Sequence, residues 1–162
     1  MNPSIEPLYV IYNLNRRLFL NTLTDIDDDL ARKRPNNKTN SMIFIACHLL
    51  DARYYIGKLI GLYCECPFKD IFDQTNSIED FTEFPKLADI SSSWHDISNK
   101  ILMRLKTIHK SDLADKAPFD VPVEDNTVFG LITFLAQHES YHIGQLALLR
   151  KYFGLKAMRY NE

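Results

Sequence analysis

The sequence predicts an all-α protein, a four-helix bundle, and three observations lead to this prediction. Four stretches, 5–26, 41–61, 85–108 and 127–154, place apolar residues three or four positions apart, the spacing of one helix face. No stretch has the pattern of a β-strand. The second and third connections, 63–83 and 110–126, are longer than usual helix–helix loops, which indicates a bundle with a non-trivial connection order. We expect 1–162 to form a single domain, because 162 residues suit one hydrophobic core.

The first two predicted helices each carry one recognisable face. In the first, that face comprises Leu8, Ile11, Tyr12, Leu18 and Phe19, interrupted by Asn15. An acidic stretch, 25–29, is expected to begin a loop. The second helix has Ser41 as its predicted N-cap and Gly61 as its stop. Its face comprises Ile45, His48, Ala52, Tyr55, Leu59 and Leu62, and the connection that follows has room for a short helix.

The last two predicted helices differ in the chemistry of their inward faces. The third is entirely apolar there, with Leu87, Ile90, Trp94, Ile97, Ile101, Leu105 and Ile108. The fourth, from the predicted N-cap Thr127 to the stop Gly154, has Val128, Leu131, Leu135, His138, His142, Gln145 and Leu149. Polar groups therefore enter the predicted core on the second and fourth helices only, apart from Asn15.

Composition excludes several classes of function. The chain is 46% hydrophobic and 25% charged with a formal net charge of -2, and it lacks a basic block, so we expect neither nucleic acid nor a membrane surface as partner. No apolar run approaches the roughly 20 residues that span a bilayer, and the N-terminus does not resemble a signal peptide. The three cysteines are an odd number without a disulfide pattern, which favours the cytoplasm.

The histidines on the inward faces predict a metal site. Buried polar groups cost free energy unless they are paired. Residues four apart on a helix project from nearly the same side, so His138 and His142 can bind one ion together. Imidazole is a common ligand of transition metals, and His48 is the remaining histidine on a core-facing stripe. Three protein ligands would leave a coordination position open, as in catalytic sites.

A second interpretation of these residues stays open. A lone histidine on an apolar face is usually a hydrogen-bonded core residue, and a His-x-x-x-His pair is by itself a weak motif. His95 and His109 lie off the stripe and are predicted at the surface. The Cys64-Glu65-Cys66 spacing differs from the Cys-x-x-Cys of zinc and redox motifs, which favours loop thiols, and Cys47 is expected in packing.

Two motifs resemble the DinB-like (YfiT-like) metal-binding bundle superfamily. The string from His138 to Leu146, His-Glu-Ser-Tyr-His-Ile-Gly-Gln-Leu, is similar to the last-helix motif of that family, a His-x-x-x-His pair followed by a small residue and Gln. The segment from Cys47 to Arg53 resembles the second-helix motif with its single histidine. The resemblance extends over essentially the whole chain.

The resemblance implies an up-down-down-up four-helix bundle, a homodimer, and one divalent metal on the residues matching His48, His138 and His142. Zinc or nickel is the expected metal, with iron or manganese as alternatives. Known activities in the superfamily are mainly transfers that involve low-molecular-weight thiols, so a small-molecule substrate and an S-transferase or hydrolase activity are expected. The rival hypotheses are a non-catalytic metal-binding or stress-related protein, and a structural module.

Several polar residues are candidates to surround the predicted ion, although none is identified as catalytic. Gln145 lies one turn beyond His142, and Asp51 and Tyr55 lie one and two turns beyond His48. Packing or surface exposure explains each of them equally well. Asn15 is a further candidate. Glu139 is expected to point away from the site, because it is adjacent to His138.

Overall fold

A computed structural model describes residues 1–73 and 83–160, and every regular element in those ranges is helical. The α-helices are α1 (Glu6–Leu23), α2 (Asp28–Arg32), α3 (Met42–Leu59), α4 (Lys69–Phe72), α5 (Leu87–Leu105) and α6 (Val128–Tyr152), with a 3-10 helix at Lys110–Leu113. The described part of the chain has one isolated bridge, between Lys116 and Thr127, and no strand. The prediction of an all-α protein is confirmed.

The predicted ends of the second and fourth long helices are confirmed by their capping contacts. The Ser41 hydroxyl accepts a hydrogen bond from the Phe44 amide at 3.3 Å, and Thr127 does the same for Gly130 at 3.3 Å. Gly61 and Gly154 follow the helices with φ of 82° and 80°, the left-handed conformation in which glycine ends a helix without steric strain.

Three predictions about local structure need correction or completion. The acidic stretch does begin a connection, at residues 25–27, but its last two residues start α2: the Asp27 side chain accepts a hydrogen bond from the Leu30 amide at 2.7 Å, and acidic residues in a first helical turn are favourable. Ile11 was expected in the core but is 38% exposed. The connection 63–83 does contain a short helix, α4, and its residues 74–82 lie outside the described part.

Each of the four long helices packs against two of the others, and the buried indole of Trp94 on α5 contacts α1 through Phe19 and α3 through Arg53. Both α1 and α3 pack against α5 and α6. Along α1 and α6, contacts advance in the same direction, from Tyr12 with Ile132 to Thr22 with Arg150.

The helices α3 and α6 run in opposite directions. Arg53 with Trp94 and Ile60 with Arg104 show that α3 and α5 run in the same direction, so α3 runs opposite to α6 if α5 runs opposite to α1. Arg16 with Asn99 and Tyr9 with Lys106 give α1 and α5 opposite directions. As a result, the first half of α3 faces the second half of α6.

None of the helices described is both long enough and apolar enough to cross a membrane.

Candidate metal centre

The structure brings together the three histidines that the sequence singled out. The Nε2 atom of His138 lies 3.1 Å from Nε2 of His48 and 3.1 Å from Nε2 of His142. The three ligand atoms all lie within 4.8 Å of one another. One helix supplies two of the side chains and α3 supplies the third.

Helix geometry explains how the cluster forms. His138 and His142 are separated by one turn of α6, so their rings stand beside each other, with centroids 4.5 Å apart. His48 approaches from α3 with its ring edge-on to both, at 5.0 and 4.8 Å. His48 is exposed and the other two are half-buried. The cluster therefore sits at the protein surface between α3 and α6, where a small molecule can reach it.

The outer nitrogen of His142 is held by its own helix. Nδ1 of His142 lies 2.7 Å from the Gln145 amide oxygen, and the Gln145 amide nitrogen donates to the Tyr141 hydroxyl at 3.1 Å. An amide oxygen only accepts hydrogen bonds, so Nδ1 carries the proton and Nε2 keeps its lone pair. The predicted contact of Gln145 with the site is thus present.

Electrostatics keep the cluster neutral. Although the His48 side chain is partly open to solvent, the protein around its ring displaces water, and this lowers the pKa of His48 to about 4, with a further contribution from His142 and His138, which disfavour a nearby positive charge. Burial also lowers the pKa of His138 and of His142, although the hydrogen bond from His142 to Gln145 opposes the shift in His142. Neutral imidazole is the form that coordinates metals.

The histidines fit a transition-metal ion. Two nitrogen ligands about 2.0–2.1 Å from one zinc ion, in tetrahedral arrangement, lie about 3.4 Å apart, which is close to the 3.1 Å between His138 Nε2 and each of its two neighbours; all three ligand atoms lie within 4.8 Å of one another. Three nitrogens with lone pairs facing one another repel unless a proton or a cation lies between them. The cluster can therefore hold a metal ion.

A buried ion pair lies next to this cluster and was missed by the sequence analysis. Arg53 and Glu139 are both 0% exposed, with Nη2 to Oε2 at 2.7 Å and Nε to Oε1 at 2.6 Å. Burial raises the pKa of Glu139 to about 7, although Arg53 and Asn15 oppose this shift. A sequence signal existed: Glu139 is the one acidic residue of α6.

Asn15 belongs to this pair rather than to the histidines. Its amide nitrogen donates to Glu139 Oε2 at 3.2 Å and to the Ala136 carbonyl at 3.1 Å. Ser140 donates to the Asn15 amide oxygen at 3.1 Å. The interruption of the apolar face of α1 is therefore explained by a partner on α6.

The other candidates make no hydrogen bond to the histidines among the contacts described. Asp51 and Tyr55 line a cavity of about 210 Å³, together with Tyr54, Lys58, Cys66, Lys69 and Asp73. His95 and His109 are exposed, as expected. The three cysteines are free, with Cys47 buried in packing as expected; Cys66 is buried as well, whereas Cys64 is partly exposed.

Comparison with known proteins agrees with the helical fold. A sequence profile described as the DinB superfamily matches residues 11–146. A crystal structure of a DinB-like protein, YjoA, from Bacillus subtilis matches with a TM-score of 0.58 and 16% sequence identity, covering 98% of this chain and 97% of that one. No curated protein matches the chain.

Proposed function

We propose that this chain, which belongs to the DinB superfamily, is a divalent-metal-dependent enzyme that acts on a small molecule. Transfer of a low-molecular-weight thiol is the leading reaction, and hydrolysis is the second. The observation that carries the proposal is the convergence of three Nε2 atoms, from His48, His138 and His142, at the protein surface.

An open site favours turnover over storage. Three protein nitrogens leave at least one coordination position for a substrate or water. His48 is exposed, so this position faces solvent. A divalent ion bound there supplies Lewis-acid chemistry, which lowers the pKa of a bound thiol or water and yields a nucleophile at neutral pH.

Residues around the cluster prepare it for this role. Gln145 keeps the proton of His142 on Nδ1 and fixes the ring, so that Nε2 points into the cluster. All three donors are neutral nitrogens, which suit zinc and nickel, and iron or manganese would be second choices.

We also propose a helix order, a cellular location and an oligomeric state for the protein. The directions of the helix contacts support a four-helix bundle of up-down-down-up order, with α1 and α6 running one way and α3 and α5 the other. The free cysteines support a cytoplasmic location. An uncharged outer face of α6 supports a homodimer.

Metal content tests the proposed function. The untagged protein is purified and its bound metals are measured by elemental mass spectrometry, beside a His138→Ala, His142→Ala variant. We expect close to one equivalent of a transition metal in the parent and almost none in the variant. A His95→Ala, His109→Ala variant is the matched control and should keep the metal, because both residues are exposed and neither belongs to the cluster.

Two results would count against the proposal. A parent that holds no metal, and gains none on incubation with Zn²⁺, Ni²⁺, Mn²⁺ or Fe²⁺, would remove its basis. A metal-loaded parent without turnover of thiol or ester substrates would instead favour the non-catalytic metal-binding rival.

A further inference from the structure

An aromatic ring flanks the histidine cluster on one side. Phe134 lies one turn before His138 on α6, and the two ring centroids are 6.1 Å apart with an interplanar angle of 36°. Phe134 is half-buried, so part of its ring faces solvent. A molecule bound at the histidines would lie beside this ring.

Two further aromatic rings, Tyr55 and Phe119, lie further along α3 and in the connection before α6. Tyr55 is seven residues after His48, which places it on the same face of α3 about 10 Å further along. It stacks on Phe119 with centroids 6.4 Å apart and an interplanar angle of 17°. Phe119 comes from the connection that precedes α6 and is 51% exposed.

Helix direction places all three rings on the same side of the histidines. Because α3 runs with α5, α5 runs against α1, and α1 runs with α6, the helices α3 and α6 run in opposite directions, and the chain after His48 extends toward the start of α6. Tyr55, Phe119 and Phe134 thus all lie on the side of the histidines toward the start of α6, and we name these three rings the aromatic wall. Along α6 from Val128 to Gln137 there is no charged residue, so that stretch of α6 contributes only uncharged surface.

The geometry points to a substrate in which a flat apolar group, an aryl ring, is attached directly to the atoms that bind the metal. This inference rests on the proposed function. Aromatic faces recognise flat apolar groups by stacking and by removal of apolar surface from water. A half-exposed phenylalanine beside an accessible metal cluster gives such a group a binding surface as soon as its donor atoms reach the ion.

Hydroxamates of matched donor chemistry test this inference. The protein is loaded with Co²⁺, and binding of acetohydroxamate and benzohydroxamate is followed by the visible spectrum of the ion. Both ligands bind metal through the same hydroxamate group, but acetohydroxamate carries a methyl group where benzohydroxamate carries a phenyl group. We expect benzohydroxamate to bind about tenfold more tightly. In Phe134→Leu this preference should fall to about twofold, while the Kd of acetohydroxamate stays unchanged.

A longer probe tests the far end of the aromatic wall. 4-Biphenylhydroxamate reaches further than benzohydroxamate and should gain additional affinity, which Tyr55→Leu removes. Phe68→Leu is the matched control, because Phe68 packs near Phe72 and should leave every Kd unchanged. A loaded protein that binds the two shorter hydroxamates equally, or keeps its preference in Phe134→Leu, overturns the inference and leaves the proposed function standing. Failure to take up cobalt or any other metal overturns both.

Discussion

At the scale of single residues, the hydrogen bond between His142 and Gln145 decides which ring nitrogen can bind a metal. The amide oxygen lies 2.7 Å from Nδ1, and the amide nitrogen is itself anchored by the Tyr141 hydroxyl. This chain of contacts runs along one face of α6. Partners of this kind orient a ligand ring and raise its basicity. Gln145 is therefore a positioning residue rather than a ligand.

Removal of this hydrogen bond should weaken metal binding without unfolding the protein. In Gln145→Leu we expect the Kd for Zn²⁺ to rise by about tenfold or more. Gln145→Glu supplies another acceptor and should keep or improve the affinity of the parent. Competition with a chromogenic chelator measures each Kd. Equal affinities in the parent and in Gln145→Leu would show that the amide has no positioning role.

Contacts between single residues could be predicted within one helix but not between two helices. The spacing of His138 and His142 predicts that the two rings meet, because one helix carries both. Arg53 and Glu139 lie on different helices, and no local spacing connects them. Their pairing depends on how α3 packs against α6. Glu139 was correctly predicted to point away from the histidines, but its destination, a buried arginine, follows only from the tertiary structure.

At the scale of elements, helix ends could be predicted where the sequence carries a capping residue or a C-terminal glycine. Ser41 and Thr127 begin helices with side-chain caps, and Gly61 and Gly154 end them with positive φ. The short α2 was missed because the acidic residues that suggested a loop also stabilise a first helical turn. Whether five residues form a loop or one helical turn depends on packing, since so short a helix has little stability of its own.

The outer face of α6 lacks the charges that helices usually show to solvent. From Thr133 to Leu148 the exposed residues of α6 are all uncharged, and the first exposed charge is Lys151 in the last turn; Tyr141 and Leu148 are 58% and 68% exposed. The two other charged residues of α6, Glu139 and Arg150, are buried. An uncharged face of this length is compatible with a second copy of itself, because no like charges meet across a two-fold axis.

A charge on this face should therefore separate the proposed dimer. Leu148→Glu introduces two buried, unpaired carboxylates at a two-fold interface, so we expect a species near the chain mass of 18.9 kDa where the parent has twice that mass. Light scattering after size-exclusion chromatography gives the masses. Met103→Glu, at an α5 position that is 70% exposed, is the control and should stay dimeric. A monomeric parent would exclude the dimer, and a dimeric Leu148→Glu would move the interface elsewhere.

At the scale of the whole molecule, the Arg53–Glu139 pair joins all four long helices. Arg53 on α3 and Glu139 on α6 form the pair, Asn15 on α1 donates to the carboxylate, and the guanidinium lies 4.1 Å from the centre of the Trp94 ring on α5. Glu139 adjoins His138, so the pair holds α3 and α6 together next to the metal cluster. Most of the apolar core positions predicted from the sequence are buried in the structure. The ion pair could not be predicted, because its members lie on different helices and meet only in the folded protein.

The energetics of this pair should depend strongly on whether one or both partners are removed. Glu139→Gln leaves the buried guanidinium without a counter-charge, and we expect the free energy of unfolding to fall by about 3 kcal/mol or more. The double variant Arg53→Met, Glu139→Leu leaves no buried charge and should recover more than half of that loss, since apolar side chains of similar size fill the same space. Urea unfolding in the presence of a chelator measures both without a contribution from bound metal. If the double variant is as unstable as Glu139→Gln, the pair contributes net stability that packing does not replace. If it is stable but has lost its affinity for zinc, the pair serves chiefly to hold His48 opposite His138 and His142.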